Sequence, residues 1–151
     1  MRSVRSDDGS TIVEFVFLGI VILVPLMYVV LLASDLQRNA FGVTEAARQA
    51  GRAYATADDE GSARRRADYA MGLALADQGL STDGAELRFV AAGADCQGPE
   101  VTPTLAPGSQ FAVCVVRIFR LPAVPSFVDG GNNTVTGIFV VRIDQFRGTP
   151  R

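Results

Sequence analysis

Three hydrophobic patterns follow one another along the chain, and the first is an unbroken apolar run from Thr11 to Ala33. Glu14 is the only charged residue in this run. As a helix rising about 1.5 Å per residue, the run would span roughly 34 Å, enough for a bilayer core of about 30 Å. Pro25 is compatible with this interpretation because membrane helices tolerate a proline kink. We therefore predict a transmembrane helix; a cleaved secretory signal fits less well, since its apolar region is usually about 7–15 residues long.

The second pattern continues the helix beyond the apolar run. Apolar residues recur at spacings of three and four, which places them on one helical face. These residues are Leu36, Ala40, Val43, Ala47, Ala50 and Tyr54. We predict one helix from about Thr11 to Thr56 and a second helix from Ser62 to Gly79, after an acidic break. The outer half of the first helix is rich in alanine and glycine, which suit close packing against the protein's own domain, the alternative we favour, or against another subunit.

The third pattern alternates between inward and outward residues, as in β-strands. Residues 86–90, 111–119 and 134–146 are rich in β-branched and aromatic side chains, and a turn signal at 130–133 separates the last two segments. The predicted fold class is therefore α+β. It consists of a long N-terminal helix with a transmembrane first half, a second helix and a small, roughly three-stranded antiparallel sheet.

Composition and charge exclude several function classes. The formal net charge is -2, all 14 basic residues are arginines, and histidine is absent, which rules out histidine-based catalysis and histidine metal sites. The arginines are spread out apart from Arg64–Arg66, so we expect no nucleic-acid partner. No phosphate loop, nucleophile elbow or calcium-loop spacing is present. We predict a protein that is not an enzyme, with no cofactor, no metal site and no small-molecule substrate.

The chain has two cysteines, Cys96 and Cys114, and neither belongs to a C-x-x-C motif. If the C-terminal part lies outside the cytoplasm, we expect one disulfide between them. It would close a loop of roughly 18 residues and stabilise the fold by about 3 kcal/mol on the chain-entropy model. The alternative is a pair of buried thiols without a bridge.

The charges that flank the apolar run favour a cytoplasmic N-terminus. Arg2 and Arg5 precede the run, whereas the nearest basic residue after it, Arg38, has an acidic neighbour at Asp35. Basic residues near a membrane helix tend to stay on the cytoplasmic side. We therefore predict a single-pass protein of the cell membrane whose C-terminal domain is extracytoplasmic, at the cell surface or in a pilus.

The carboxylate of Glu14 is unusual in a segment suited to lipid, because a charge at the bilayer centre costs about 2.5–3.5 kcal/mol. Near the start of the run, Glu14 can also reach the headgroups and have no special role. However, a polar leader, Gly9, Glu14 five residues later and then apolar residues together resemble the type IV prepilin signature. That resemblance implies cleavage between Gly9 and Ser10 by a membrane-embedded peptidase. It also implies that Glu14 assists assembly by pairing with a neighbour's new amino terminus, since a carboxylate in a low dielectric needs a cationic partner.

Further residues narrow the resemblance to one branch of the family. Most prepilins have a basic residue before the glycine and Phe after it, whereas Asp8 and Ser10, which stand here, are common in the Tad/Flp branch. Gly9-Ser10, then Val13–Phe15, Leu23–Leu26 and Ala46–Ala53 resemble TadE-like proteins, particularly the actinobacterial ones. This resemblance covers residues 9–55 well and the remainder weakly.

The resemblance implies a prepilin leader at 1–9, a transmembrane helix at 10–33, a helical spine at 34–57 and an exported α+β domain at 58–151. The implied function is that of a minor pilin or pseudopilin in the assembly of a Tad/Flp-type pilus or related secretion apparatus. Major Flp subunits are short chains with little beyond one helix, so an extra domain favours a minor subunit. The implied partners are membrane lipid, a prepilin peptidase, Flp-type or TadF-like pilin subunits and the Tad assembly platform. The alternatives are an unprocessed single-pass envelope protein with an exported binding domain and a type II secretion pseudopilin.

Overall fold

The computed structural model describes residues 8–121, 124, 130 and 132–148, with side chains from Ile12 onward. The chain divides into two compact units, Met1–Asp35 and Leu36–Arg151, and each is described by itself. The described residues form two helices and three strands. The predicted α+β fold is confirmed: it has a long N-terminal helix, a second helix and a three-stranded antiparallel sheet.

Helix α1 comprises Asp8–Ala55 and, at 48 residues, is the long helix that the sequence predicts. Pro25 lies inside α1 and does not end it. In the first unit, every side chain from Ile12 to Leu31 is exposed. The described part of the first unit is therefore a single helix whose apolar side chains are mostly exposed.

Helix α2 comprises Glu60–Asp77 in the second unit and begins two residues before the predicted start. The reason is Asp59, which caps the helix: its carboxylate accepts a hydrogen bond from the Ser62 backbone N–H at 2.9 Å and another from the Ser62 hydroxyl at 2.7 Å. Gly79 follows the helix with a φ of 66°, a left-handed conformation that suits glycine.

The sheet consists of β1 (Ala85–Ala91), β2 (Gln110–Phe119) and β3 (Asn133–Arg142). The strands are antiparallel in the order β1-β2-β3, so β2 is central and the two outer strands run in the same direction. The third strand ends at Arg142 rather than at the predicted residue 146. A turn follows it, in which the Asp144 carboxylate accepts a hydrogen bond from the Phe146 N–H at 2.8 Å.

The main core lies between the two helices and one side of the sheet, which we call the inner side. Alternate strand residues point into this core, and three aromatic rings meet at its centre. The centroid of the Tyr54 ring lies 5.1 Å from the ring centroids of both Phe89 and Phe111. The buried members of this core from the sheet include Leu87, Phe89, Phe111, Val113, Val115 and Val141, and Ile143 joins them just after β3. The alternation in the sequence therefore identifies the inward side of each strand.

The small residues of the outer half of α1 pack mainly against the chain itself. A Cβ at Gly51 would lie 2.7 Å from Phe139 Cδ1, and one at Gly42 would lie 2.5 Å from Leu80 Cδ1. The fully buried alanines of this half are Ala46, Ala47 and Ala50. Two residues of the predicted apolar face, Leu36 and Ala40, are instead exposed, and the buried face begins at Asn39.

Candidate functional site

The candidate processing site lies where helix α1 begins. The helix starts at Asp8, so Gly9 and Ser10 have helical backbone conformations, while residues 1–7 of the predicted leader 1–9 lie outside the described residues. Residues four apart on an α-helix lie on the same face. Position 14 is therefore on the same face of α1 as position 10, the residue whose amino group cleavage would release.

Glu14 is exposed, and so are the apolar residues beside it, Val13 and Phe15. It is the only charged residue between Ile12 and Ala33. The nearest cationic side chains in the sequence are Arg5 and Arg38, on either side of the apolar segment. If this segment enters lipid, a charged Glu14 is stabilised either at the headgroups or by a cation from another molecule or a new amino terminus.

The apolar surface of the first unit is far larger than a monomeric soluble protein normally exposes. Of the described helices, α1 contains one stretch long and apolar enough to cross a membrane, with a mean hydropathy of 3.0 and no buried residue in that window. A segment of this kind can form a single membrane span. The prediction of a membrane segment is thus confirmed at the level of length, composition and exposure, and the cleavage at Gly9 stays a prediction.

The predicted disulfide between Cys96 and Cys114 is confirmed, with Cα atoms 5.6 Å apart. Cys114 lies in the central strand β2, on the side of the sheet away from the helices, which we call the outer side. The bridge holds the loop after β1 over this side and forms a second apolar cluster with Val90 and Ala112. Arg88 donates hydrogen bonds to two carbonyls of the same loop, at Cys96 and Gly98. A formed disulfide is typical of a domain that folds outside the cytoplasm.

A cleft of about 410 Å³ lies beside the first turns of α2, and most of its polar side chains are engaged with neighbouring groups. The guanidinium of Arg64 lies 5.3 Å from the centre of the Phe89 ring and 3.6 Å from the Glu100 carboxylate. Glu60 accepts a hydrogen bond from the Leu105 N–H, and the Tyr54 hydroxyl donates one to the Pro103 carbonyl at 2.8 Å. These contacts hold the loop at residues 100–105 over the core, so they give the polar groups of the cleft a structural role. Among the described residues, no group of three or more His, Cys, Asp or Glu side chains is placed to hold a metal ion.

Two arginines stabilise the second unit in ways that the sequence analysis did not anticipate. Arg147 donates hydrogen bonds to the carbonyls of Ala55, at 2.6 Å, and Ala57, where α1 ends and its last carbonyls lack helical partners. Arg117 is buried on the inner side of the sheet and donates hydrogen bonds to the Asn39 side chain and to the Ser81 carbonyl. The alternation of β2 places Arg117 at an inward position, so the sequence does contain a signal for its burial.

The Asp59 cap also changes the acidity of its carboxyl group. Hydrogen bonds from the Ser62 backbone N–H and hydroxyl stabilise the carboxylate, and they lower the pKa of Asp59 below its ordinary value of 3.8. Partial desolvation of the carboxylate opposes this lowering of the pKa but is smaller than either hydrogen bond. Asp59 is therefore charged throughout the neutral range and complements the N-terminal end of the α2 dipole.

Comparison with known proteins finds no match: no protein-family model, no curated protein and no solved structure is similar to this chain. The function is therefore argued from the residues themselves.

Proposed function

We propose that this chain is a TadE-like minor pilin or pseudopilin of the Tad/Flp type IV pilus family. In this proposal a prepilin peptidase cleaves the chain between Gly9 and Ser10, and the mature subunit takes part in assembling a pilus or a related secretion apparatus. The N-terminus faces the cytoplasm, and the domain that carries the disulfide lies on the exported side. The subunit works by assembly rather than by catalysis.

One observation carries this proposal: Gly9, Ser10 and Glu14 lie at the start of an exposed apolar helix that continues into a folded domain. A plain membrane anchor has no need of a carboxylate at this place, because a charge near lipid lowers the stability of the inserted helix. A subunit that packs against its neighbours can use the carboxylate, since a released α-ammonium group neutralises it in a low-dielectric environment.

The formed Cys96–Cys114 bridge supports the exported location, because structural disulfides persist in oxidising compartments. Arg2 and Arg5 before the helix support the orientation. Partners in this proposal are membrane lipid, the peptidase, Flp-type or TadF-like subunits and the assembly platform.

The experiment is to determine the mass and N-terminal sequence of the protein extracted from its host membrane, beside a Gly9→Leu variant. The proposal expects a mature chain that begins at Ser10 and a full-length chain in the variant. Full-length protein in both samples would refute processing and favour an unprocessed single-pass envelope protein.

Glu14→Leu separates processing from assembly, because it leaves the Gly9–Ser10 bond intact. We expect a normally cleaved Glu14→Leu chain that stays in the membrane fraction and is lost from sheared surface filaments. Ser34→Leu is the matched control, since Ser34 lies in the same helix and its hydroxyl only bonds the Val30 carbonyl at 2.9 Å. Glu14→Leu chains that enter filaments as the control does would contradict the assembly role.

A further inference from the structure

The bond that processing would break lies inside the first turn of α1. The helix begins at Asp8, so the residues on both sides of the Gly9–Ser10 amide have helical conformations. In an α-helix each carbonyl accepts a hydrogen bond from the N–H four residues later, so the Gly9 carbonyl accepts one from the Val13 N–H. The Ser10 N–H is one of the first four N–H groups and has no partner within the helix. The helix therefore holds this amide by its carbonyl side.

Hydrolysis of the amide needs access to that carbonyl group. One water molecule is consumed: the Gly9 carbonyl carbon gains the hydroxyl group, the C–N bond to Ser10 breaks, and the remaining proton passes to the Ser10 nitrogen. At neutral pH the products are a carboxylate at Gly9 and an ammonium group at Ser10. Enzymes that cleave amides place their own hydrogen-bond donors around the oxyanion that develops on the carbonyl oxygen. Because the bond to Val13 and the adjacent backbone limit this approach, the first turn has to open.

The sequence at the start of α1 favours such an opening. Residues 9–13, GSTIV, all rank below alanine, leucine and glutamate in helix propensity, and glycine ranks lowest of the five. The first strong helix former after Gly9 is Glu14. Ile12 and Val13 are 68% and 69% exposed, so packing against the described parts of the chain does little to hold this turn closed. The first turn is therefore held mainly by its own backbone hydrogen bonds.

The opening of a helix end is fast compared with catalysis. Helical residues are added within nanoseconds, whereas a typical enzyme turns over many times more slowly. In this regime the rate of proteolysis follows the equilibrium population of the open form. A peptidase that binds only the open form has an apparent KM that rises in inverse proportion to the open fraction, while kcat is unchanged. The helix propensity of the first turn should therefore affect KM.

We propose that the peptidase acts on an opened first turn of α1, and that the helix propensity at Thr11 controls how much of the chain is in this open form. Thr11 lies between Gly9 and Val13, whose hydrogen bond has to break. It is a positioning residue, because it acts through the backbone and does not contact the reacting atoms. The inference rests on the proposed function and adds what controls the rate of the Gly9–Ser10 cleavage.

Two substitutions of Thr11 test this mechanism, because both remove the hydroxyl and methyl groups but change helix propensity in opposite directions. Full-length chain in detergent is mixed with solubilised host membranes, which supply the peptidase, and mass spectrometry follows the product that begins at Ser10. We expect Thr11→Ala to raise the apparent KM by about two- to threefold and Thr11→Gly to lower it, with up to about a fivefold difference between the variants and an unchanged kcat. If the peptidase instead contacts the Thr11 side chain, both variants shift in the same direction, which would overturn the proposal.

The matched control is Gly19→Ala, a substitution in the same helix beyond the first turn. An added Cβ at Gly19 has no atom within 4 Å, and alanine favours the helix over glycine. This change stabilises a turn that cleavage leaves closed, so we expect the KM of the wild type. A rise in KM as large as that of Thr11→Ala would show that cleavage responds to the stability of the whole helix, and the role of the first turn would be excluded.

Hydrogen–deuterium exchange of the Val13 N–H, followed by NMR in micelles without peptidase, measures the opening itself. The residues that flank this N–H are the same in all variants, so their intrinsic exchange rates are comparable. We expect slower exchange in Thr11→Ala, faster exchange in Thr11→Gly and no change in Gly19→Ala. The same exchange rate in both Thr11 variants would mean that this position does not control the opening, and the proposal would be wrong.

The wild-type sample separates this proposal from the proposed function. A wild-type chain that stays full-length removes the processing step, and this inference with it. A wild-type chain that is cleaved to begin at Ser10, beside Thr11 variants with the KM of the wild type, removes only the inference and leaves the pilin proposal standing.

Discussion

The closest approach between helix and sheet occurs at Gly137, and Gly137→Ala tests it directly. A Cβ on this residue would overlap the carbonyl group of Val43 and lie 2.7 Å from the Thr44 nitrogen. All of these are backbone atoms in the middle of α1, which cannot rotate away as the end of a side chain can. Gly137 has no positive φ, so alanine is compatible with the local backbone and the substitution tests the steric contact alone.

The expected loss of stability is large for one added methyl group. Overpacking of a well-filled core typically lowers the free energy of unfolding by about 1–3 kcal/mol. Because the neighbours of Gly137 are rigid backbone atoms, we expect Gly137→Ala to lower it by about 3 kcal/mol. For a domain of this size, a loss of about 3 kcal/mol corresponds to a Tm decrease of about 12 °C.

The matched control is Gly72→Ala, another single methyl group in the same unit. Gly72 lies inside α2, and its added Cβ would meet only Thr82 Cγ2, at an ordinary contact distance of 3.5 Å. Alanine favours a helix interior over glycine, so we expect stabilisation by about 0.5–1 kcal/mol. The two variants should therefore shift the Tm in opposite directions.

The assay is thermal unfolding of the full chain in detergent micelles, followed by near-ultraviolet circular dichroism of tyrosine. The chain has no tryptophan, and of its three tyrosines only Tyr54 is buried among aromatic rings. The signal therefore reports on the core of the second unit and not on the apolar helix. If Gly137→Ala unfolds within about 2 °C of the wild type, a difference that corresponds to about 0.5 kcal/mol, α1 and β3 are not in backbone contact and the packing described above is incorrect.

Three further predictions follow from other contacts of the second unit. The Cys96→Ser/Cys114→Ser variant should lose about 3 kcal/mol of stability, and reduction of the wild type should give the same Tm decrease; an unchanged Tm would mean that hydrogen bonds such as those of Arg88 hold the loop without the bridge. Arg147→Ala should cost about 2 kcal/mol because the carbonyls of Ala55 and Ala57 lose charge-assisted hydrogen bonds, whereas Arg147→Lys should recover part of this in a urea titration. Because the folded-state pKa of Asp59 is lowered, its contribution is complete above its ordinary value of 3.8 and is lost as the pH falls through the folded-state value. Asp59→Asn retains a capping oxygen but does not titrate, so below about pH 4 the Tm of the wild type should fall more than the Tm of this variant. If the Tm values of the two proteins changed in parallel with pH, the assignment of the cap would be refuted.

The elements of this fold could be predicted from the sequence because each depends on local periodicity. The three- and four-residue spacing identified both helices, and the alternation of residues 111–119 identified the central strand and its inward side. The cysteine pair was also predictable, since it depends on compartment and not on detailed geometry. The boundaries shifted by a few residues where a capping side chain, Asp59, or a turn, at Asp144, set the end of an element.

The contacts that join the elements could not be predicted, because they depend on how α1 is positioned over the sheet. Leu36 and Ala40 have the spacing of a core face, yet the sheet begins to cover α1 only at Asn39, so both remain exposed. Arg147 is far from the end of α1 in sequence, and no local pattern connects it with the carbonyl of Ala55. The candidate processing site is the opposite case: Gly9, Ser10 and Glu14 were found from sequence spacing, and the fold adds only the helical face that positions 10 and 14 share.

If the chain assembles as proposed, the packing of α1 also limits how subunits can contact each other. Small residues at 42–51 are occupied by the chain's own sheet and second helix, so they are not available to a neighbouring copy. The opposite face of this outer half is mixed, because Glu45 and Arg48 pair there at 3.4 Å and Phe41, one turn earlier, is 69% exposed. In the proposed assembly, the largest apolar surface available to a neighbouring helix is therefore the segment that begins at Ile12, where Glu14 is the one charge to be neutralised.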